Sequence, residues 1–281
     1  MNETFEHEVP CIEPVARLYQ LVTVSCSLPP SPTTNCFVIG EPGEAAVIVD
    51  PAPKDNEEYR KLLNTLNRLA SCHCFKYTRL LITHHHWDHH QNAPQLAREL
   101  GLPIAISRDS YERIIKRAGA DYFENIAIHH PVEGDLLVRW QGQAVHVFQV
   151  PGHDAGQLAL APENMAWFLV GDLIQGSGTV VISTDEGDMR HYYETLERII
   201  KLKPNILLPS HGEAQHSTSV LKKTLKHRQK REKQVQKLYK KGLSPEQMIA
   251  HIYSQVDRRL WPLALKNIKS HLKRLQQDDT R

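Results

Sequence analysis

Short apolar runs of strand length alternate with segments of helical periodicity through the first 216 residues. The run 45–49 predicts a strand, and the segment 56–69 predicts a helix whose Leu62, Leu66 and Leu69 share one face. Further strands are expected at 79–82, 104–106, 145–150, 158–160, 166–170 and 206–208, and further helices at 93–100, 110–117 and 191–202. This alternation is typical of an α/β fold.

From about Ser217 the sequence changes to long helical segments without strand signals. Ser244 has the features of a helix N-cap, since Pro245 follows at the first helical position and Gln247 lies three residues after the cap. Three helices of this size are compatible with a helix-turn-helix-like module. We therefore predict two domains, residues 1–216 and a helical module of residues 217–281.

Charge divides unevenly between these two parts. After Ser217 the chain carries 17 Lys or Arg and 5 Asp or Glu, whereas the residues before it carry 17 and 27, so the formal charges are +12 and −10. A basic module suggests an acidic partner such as nucleic acid. A well-solvated helix face explains the charge equally well, so charge alone leaves both interpretations open.

Several protein classes are disfavoured by composition. No apolar run approaches the roughly 20 residues that a membrane-spanning helix needs. The first fourteen residues are acidic and lack Lys and Arg, which fits neither a secretory signal nor a transit peptide. Five cysteines at irregular spacing imply no disulfide framework. We expect a cytoplasmic protein that does not enter a membrane.

The stretch that carries chemistry is residues 83–90, Thr-His-His-His-Trp-Asp-His-His, directly after an apolar run. Five imidazoles and one carboxylate so close together form a nitrogen and oxygen ligand set typical of zinc. An extended start places His84 and His86 on one side, and the following turn lets Asp88 and His89 face a second position. One loop thus supplies ligands for two metal ions.

Three further ligand residues follow apolar runs elsewhere in the chain. His153 follows the run 145–150, Asp172 follows 166–170 and His211 follows 206–208. Because loops beyond one set of strand ends converge at the same sheet edge, we expect these residues to meet the histidine-rich loop.

These segments, taken in order with Asp50, resemble the metallo-β-lactamase-fold hydrolases. The resemblance implies a four-layer αβ/βα sandwich with two divalent metal ions, for which zinc suits the imidazole ligands and manganese is the alternative. It implies that His84, His86 and His153 bind the first metal, that Asp88, His89 and His211 bind the second, and that Asp172 bridges both. It also implies that Asp50 orients a ligand by hydrogen bonding.

A narrower resemblance extends over nearly the whole chain. Residues 171–179 and 187–196 are similar to the β-lactamase-like protein 2 subgroup, which includes a mitochondrial endoribonuclease. The segment His227-Arg228-x-x-Arg231-Glu232-x-Gln234 continues the similarity. The last helices resemble the winged-helix-like C-terminal part of that subgroup.

Some positions depart from the family pattern. His90-Gln91-Asn92 replaces the usual small residue and Gly, Asp154 stands where Thr or Ser is common, and Ser210 stands where Gly is usual. The end at Arg281 leaves little chain for a β wing. His85, Trp87 and His90 lie outside the ligand pattern, and we expect them to line or support the pocket. These departures leave the predicted metal ligands intact, and we expect them to affect which substrate the protein prefers.

The resemblance favours a phosphodiesterase or endoribonuclease that acts on single-stranded RNA through a metal-bridging hydroxide. Asp88 is the candidate to orient that nucleophile and to shuttle its proton, which gives it a catalytic role. Basic residues of the helical module would line the phosphates, namely Lys222, Lys223, Lys226, Arg228, Lys230, Arg231, Lys233 and Lys237. A homodimer is a further working hypothesis.

Two other functions stay open at this point. The same metal centre would hydrolyse thioesters, as in the related hydroxyacylglutathione hydrolases. Alternatively, the chain would be a nucleic-acid-binding protein with a structural metal, in which Lys266, Lys269, Lys273 and Arg274 of the last helix contact phosphates.

Overall fold

The computed structural model describes residues 7–27, 31–176 and 179–279, with side chains described through residue 277. Its strands are β1 (Cys11–Val15), β2 (Leu18–Val24), β3 (Thr33–Gly40), β4 (Ala45–Val49), β5 (Lys76–Ile82), β6 (Ile104–Ile106), β7 (Ile128–His129), β8 (Leu136–Trp140), β9 (Gln143–Gln149), β10 (Leu158–Pro162), β11 (Phe168–Gly171) and β12 (Leu207–Pro209). Its helices are α1 (Asn56–His73), α2 (Trp87–His90), α3 (Ala93–Leu100), α4 (Arg108–Ala118), α5 (Met189–Leu202), α6 (Ser219–Tyr239), α7 (Pro245–Ile252) and α8 (Trp261–Asp279), with a 3-10 helix at Arg258–Leu260. Ser177 and Gly178, which belong to the subgroup motif, lie outside the described residues.

The strands form two sheets. The first sheet has the order β1-β2-β3-β4-β5-β6-β7, antiparallel from β1 to β4 and parallel from β4 to β7. The second has the order β12-β11-β10-β9-β8 and is antiparallel except between β11 and β12. Helices connect the parallel strands, as parallel crossovers require.

The two sheets face each other, and helices cover their outer faces. Successive residues of β4 alternate between two cores, since Ile48 belongs to the cluster that includes α1, while Val47 shares a cluster with Leu160 of the second sheet. Phe168 of β11 and Leu196 of α5 belong to a third buried cluster on the other side of the second sheet. This helix-sheet-sheet-helix order confirms the predicted four-layer sandwich.

Most predicted elements are observed with small shifts at their ends. The strand at 45–49 and the helix at 93–100 have the predicted bounds. Helix α1 extends four residues beyond the prediction, to His73, and its C-cap is Cys74, which adopts a left-handed φ of 54° and donates its N–H to the carbonyl of Ala70. The sequence does not predict strands β1 to β3, β7 and β8, and in β3 the buried polar residues Thr34 and Asn35 interrupt the apolar pattern.

The C-terminal helices form a small core of their own. Val235 of α6, Met248 of α7 and Ile268 of α8 are buried together. The predicted capping box at α7 is present, because the hydroxyl of Ser244 accepts from the N–H of Gln247 while the Gln247 side chain accepts from the N–H of Ser244. No strand occurs in residues 210–279, and no helix of the described chain is long and apolar enough to cross a membrane.

The prediction that Arg228 contacts a phosphate is wrong. Arg228 of α6 has a side chain that is only 2% exposed, and its guanidinium donates to Oδ1 of Asn267 at 3.0 Å and to the carbonyl of Val180. A buried guanidinium with such partners has no access to a phosphate in solvent. The helical periodicity of α6 explains the error, because Arg228 lies seven residues from both Leu221 and Val235 on the buried face.

Candidate metal centre

All seven predicted ligand residues lie at one edge of the sandwich, each just beyond a strand. His84 and His86 follow β5, and Asp88 and His89 belong to the short helix α2. The other three follow strands of the second sheet, and they are His153 after β9, Asp172 after β11 and His211 after β12. The structure therefore brings together segments that are more than 120 residues apart in sequence.

The first ligand group consists of His84, His86, His153 and Asp172, whose donor atoms all lie within 4.8 Å of one another. Nε2 of His84 is 2.9 Å from Nδ1 of His86, and Nε2 of His153 is 3.0 Å from the same atom. Three imidazole nitrogens and a carboxylate oxygen around one point match a zinc-type ligand set.

The second ligand group consists of Asp88, His89 and His211, again within 4.8 Å. The Asp88 carboxylate reaches both rings, with Oδ1 3.9 Å from Nε2 of His89 and Oδ2 3.5 Å from Nε2 of His211. This group offers one oxygen and two nitrogen ligands, and it lies beside the first group.

Asp172 lies between the two groups. Its Oδ2 is 3.7 Å from Nε2 of His153, whereas its Oδ1 is 3.7 Å from Nε2 of His89 and 3.5 Å from Nε2 of His211. One carboxylate thus presents an oxygen to each group, which is the placement that a bridging ligand requires.

The outward nitrogens of the ligand rings are held by acceptors that fix the tautomer. Nδ1 of His153 donates to the carbonyl of Val181, and Nδ1 of His211 donates to the carbonyl of Thr33, both at 2.8 Å. A carbonyl oxygen only accepts, so the hydrogen of each neutral ring lies on Nδ1 and the lone pair of Nε2 faces the cluster.

Asp50 holds the third such ring, which confirms its expected role. Its Oδ2 is 2.8 Å from Nδ1 of His89, and its carboxylate also accepts from the N–H and the hydroxyl of Thr83 at 2.7 and 2.6 Å. Thr83 directly precedes the ligand loop, so Asp50 fixes both a ligand and the start of the loop.

Glu186 is a supporting residue that the sequence did not reveal. Its Oε2 lies 3.3 Å from Nε2 of His86, and its Oε1 lies 3.4 Å from Nε2 of His85 and 3.3 Å from Arg117 of α4. When Nε2 of His86 donates to this carboxylate, the lone pair of Nδ1 faces the first ligand group. No sequence signal identifies Glu186, because it stands in an irregular segment without a spaced motif.

The three residues outside the ligand pattern have separate roles. His85 is buried and lies 2.6 Å from Asp154, and His90 is buried against the hydroxyl of Tyr122 at 2.8 Å. Trp87 remains 40% exposed at the start of α2. His85 and His90 therefore support the loop, while Trp87 lies at its surface.

A divalent cation fits this donor set. Nε2 of His89 and Oδ1 of Asp172 are buried and lack a hydrogen-bond partner, a costly arrangement that a bound cation relieves. Burial, then the neighbouring His89 and His86, lowers the pKa of His84 well below its usual value, and burial lowers the pKa of His153 to about 4. Both rings are therefore neutral near pH 7 and present lone pairs for a metal.

Comparison with known proteins agrees with this geometry. Residues 32–211, which make up more than half of the chain, match the profile of the metallo-beta-lactamase superfamily. The chain belongs to the metallo-beta-lactamase superfamily. It is thus a metal-dependent hydrolase. A second match covers residues 244–280, which resemble the beta-lactamase associated winged helix domain.

Two relatives match along most of the chain, and a third matches along less than half of it. A beta-lactamase-like protein 2 homolog from Caenorhabditis elegans is 26% identical over 276 residues, which cover 95% of this chain and 88% of the relative. The homolog from Drosophila melanogaster is 24% identical over 253 residues, covering 87% and 82%. A hydroxyacylglutathione hydrolase from Shewanella pealeana is 31% identical over 128 residues, covering 45% and 43%.

Solved metallo-beta-lactamase structures share the fold. A metallo-beta-lactamase family protein from Thermus thermophilus superposes with a TM-score of 0.74 at 18% identity, covering 94% of this chain and 95% of that one. A beta-lactamase domain protein from Burkholderia ambifaria gives 0.75 at 17% identity, covering 95% and 89%. At these identities the likeness establishes the fold alone.

Proposed function

We propose that this metal-dependent hydrolase cleaves phosphodiester bonds of single-stranded RNA. The observation that carries the proposal is a row of exposed lysines on α6. Five of them, here called the lysine stripe, are spaced three or four residues apart and consist of Lys222, Lys226, Lys230, Lys233 and Lys237.

The geometry of α6 makes the lysine stripe a single face. At 3.6 residues per turn, its members fall within an arc of about 80°. The buried face, with Leu221 and Val235, lies on the opposite side of the helix. Like charges at this spacing destabilise a helix by a few tenths of a kcal/mol per pair, so the stripe costs stability, and contact with a polyanionic partner would offset that cost.

The charge balance of the chain supports the same partner. The residues before the helical module carry a formal charge of −10, so a polyanion is repelled by most of the body and attracted to α6. Phosphates along a single strand would contact successive lysines, and each contact would release counterions.

Two divalent metal ions are proposed for the site, zinc with manganese as the alternative. The first ligand group would hold one ion, the second would hold the other, and Asp172 would serve both. When bound, such ions would lower the pKa of a water molecule and polarise the attacked phosphate. The side chains of His86 and Asp88 are the ligands most open to solvent, 23% and 17% exposed, so substrate would enter on their side.

Asp88 is the proposed catalytic residue of the chain. Burial raises and the neighbouring His89 lowers the pKa of the Asp88 carboxyl, with a net decrease from its usual value. The carboxyl is therefore ionised near pH 7 and would accept a hydrogen bond from the attacking water and orient it, and its further role in shuttling the proton is part of the proposal. The rings of His153 and His211 are already committed at both nitrogens and act as ligands.

A thioester substrate is the second candidate. It is favoured by the match to a hydroxyacylglutathione hydrolase, which reaches 31% identity but covers only 45% of this chain. In that case the same ligand residues would bind the metals next to a carbonyl in place of a phosphate. Membership in a hydrolase superfamily argues against a non-enzymatic nucleic-acid-binding protein.

The deciding experiment runs two assays on the metal-loaded protein and its Asp172→Ala variant. One assay follows cleavage of a labelled single-stranded RNA, and the other follows hydrolysis of lactoylglutathione. We expect RNA cleavage that is lost in the variant and weakens steeply with salt. Thioester turnover without RNA cleavage would overturn the proposal in favour of the second candidate.

A further inference from the structure

The carbonyl that orients His153 belongs to an irregular part of the chain. Val181 accepts from Nδ1 of His153 and lies between β11 and α5, where residues 179–188 form neither helix nor strand. Such a segment lacks the ladder hydrogen bonds that hold a strand in place. Its position depends on contacts from other elements, and we name residues 180–182 the support segment.

The C-terminal helices hold the support segment on both sides of Val181. Oδ1 of Asn267, on α8, accepts from the N–H of Ile182 at 3.0 Å, and the guanidinium of Arg228, on α6, donates to the carbonyl of Val180. These two side chains also bond to each other at 3.0 Å. The backbone groups that flank the Val181 peptide are therefore tied to two different helices of the module.

The two side chains that hold the support segment are buried. Arg228 and Asn267 are 2% and 4% exposed, and a buried guanidinium is costly without hydrogen-bonding partners. Arg228 also lies over the ring of Tyr192, at 5.4 Å from its centroid. Tyr192 packs against Gly152, where an added Cβ would lie 2.5 Å from its Cα, so α5 reaches the residue before His153 as well.

We propose that Asn267 and Arg228 are positioning residues of the metal centre. The helical module holds the support segment so that the Val181 carbonyl keeps the hydrogen of His153 on Nδ1 and keeps Nε2 directed at the first ligand group. The module is then a part of the metal site and not only a surface for substrate. This inference rests on the metal-binding role proposed above, but it is independent of the substrate.

The test compares variants of Asn267 in the full-length, metal-loaded protein. Asn267→Leu removes the acceptor at similar size, whereas Asn267→Asp keeps an oxygen that accepts from both Ile182 and Arg228. Tyr193→Phe is the matched control, because it removes a bond of 3.4 Å between α5 and Glu232 of α6 that does not reach the support segment. The readouts are the rate of metal release to a chelator and the absorption spectrum of the Co²⁺-substituted protein.

We expect Asn267→Leu to weaken the binding of one metal equivalent about tenfold and to change the Co²⁺ spectrum, as loss of an outer hydrogen bond to a ligand does elsewhere. Asn267→Asp and Tyr193→Phe should stay close to the parent. In the background of His153→Gln, Asn267→Leu should cause no further loss. If Asn267→Leu does not fold, Asn267→Ser, whose hydroxyl is too short to reach Ile182, takes its place with the same expectation.

Other outcomes overturn the inference. Metal release at the parent rate in a folded Asn267→Leu protein, or an equal further loss in the His153→Gln background, would make the junction merely structural. A parent that binds no metal would overturn both this inference and the proposed function. A parent that binds metal but cleaves no RNA would overturn the substrate proposal alone.

Discussion

Nδ1 of His85 lies 2.6 Å from Oδ2 of Asp154, and both side chains are buried. In sequence, His85 lies between His84 and His86, two of the proposed metal ligands. Burial lowers the pKa of His85, but the hydrogen bonds to Asp154 and Glu186 outweigh burial and raise that pKa overall. Burial raises the pKa of Asp154, but the neighbouring His85 outweighs burial and lowers that pKa overall. Asp154 thus supplies the charged partner that a buried His85 needs.

Asp154→Asn should therefore be strongly destabilising. Asp154→Asn leaves the buried His85 with only the longer contact to Glu186, at 3.4 Å, and breaking a buried ion pair costs about 3–5 kcal/mol. The measurement is the free energy of unfolding in denaturant, with metal removed by a chelator from every sample.

A double-mutant cycle with His85→Ala separates the pair from general damage to the core. The double variant should lose clearly less stability than the sum of the single changes, because neither charge is then left alone. Additive losses would show that the two side chains do not stabilise each other.

Glu186 should act on metal binding more than on stability. Hydrogen bonds from His85 and then from His86 lower the pKa of Glu186, so the carboxylate accepts from both rings. Glu186→Ala frees the His86 ring to turn, and we expect metal affinity and kcat/KM to fall about tenfold. Metal content after dialysis and steady-state kinetics measure the effect.

Two variants control for that prediction. Glu186→Gln retains an acceptor for one ring and should fall between parent and Glu186→Ala. Asp185→Ala changes the exposed neighbouring carboxylate and should behave as the parent. Equal effects of the two alanine variants would point to the charge of the loop instead of the bond to His86.

The sequence predicts the candidate ligands that the structure brings together, because each of them follows an apolar strand in a recognisable spacing. It does not reveal what holds the ligands, since Val181 and Thr33 act through backbone carbonyls that any residue would provide. Glu186 likewise reaches His86 only through tertiary structure. Arg228 lies seven residues from both Leu221 and Val235, a spacing that indicates the same buried face of the helix. The lysines around it are typical of an exposed face, and they led to the wrong prediction for Arg228.

His271 should make the stability of the protein sensitive to acid. It is fully buried on α8, and its Nδ1 lies 3.2 Å from Oε2 of Glu232, while Arg228 lies on the same side of α6. Burial lowers the pKa of His271. As the pH falls, His271 therefore takes up a proton near pH 6.5 in the unfolded chain but stays neutral in the folded chain. The free energy of unfolding consequently falls as the pH drops below that value.

His271→Gln should reduce this acid sensitivity, because glutamine donates to Glu232 without titrating. The measurement is the difference in unfolding free energy between pH 7.5 and pH 5.5, compared with the parent. His251→Gln, at an exposed position of α7, should leave the difference unchanged. An unchanged difference in His271→Gln would contradict the prediction.

The lysine stripe should govern RNA binding but not the chemical step. Lys226→Gln with Lys230→Gln removes two phosphate contacts, so we expect KM for RNA to rise about tenfold and the slope of log affinity against log salt to weaken by about one to one and a half. The value of kcat should stay near the parent, as should turnover of a small phosphodiester that does not reach α6. Lys76→Gln with Lys116→Gln makes the same charge change at exposed positions far from α6 in sequence and should have little effect. Equal increases of KM in both pairs would mean that RNA responds to the net charge of the protein and has no site on α6.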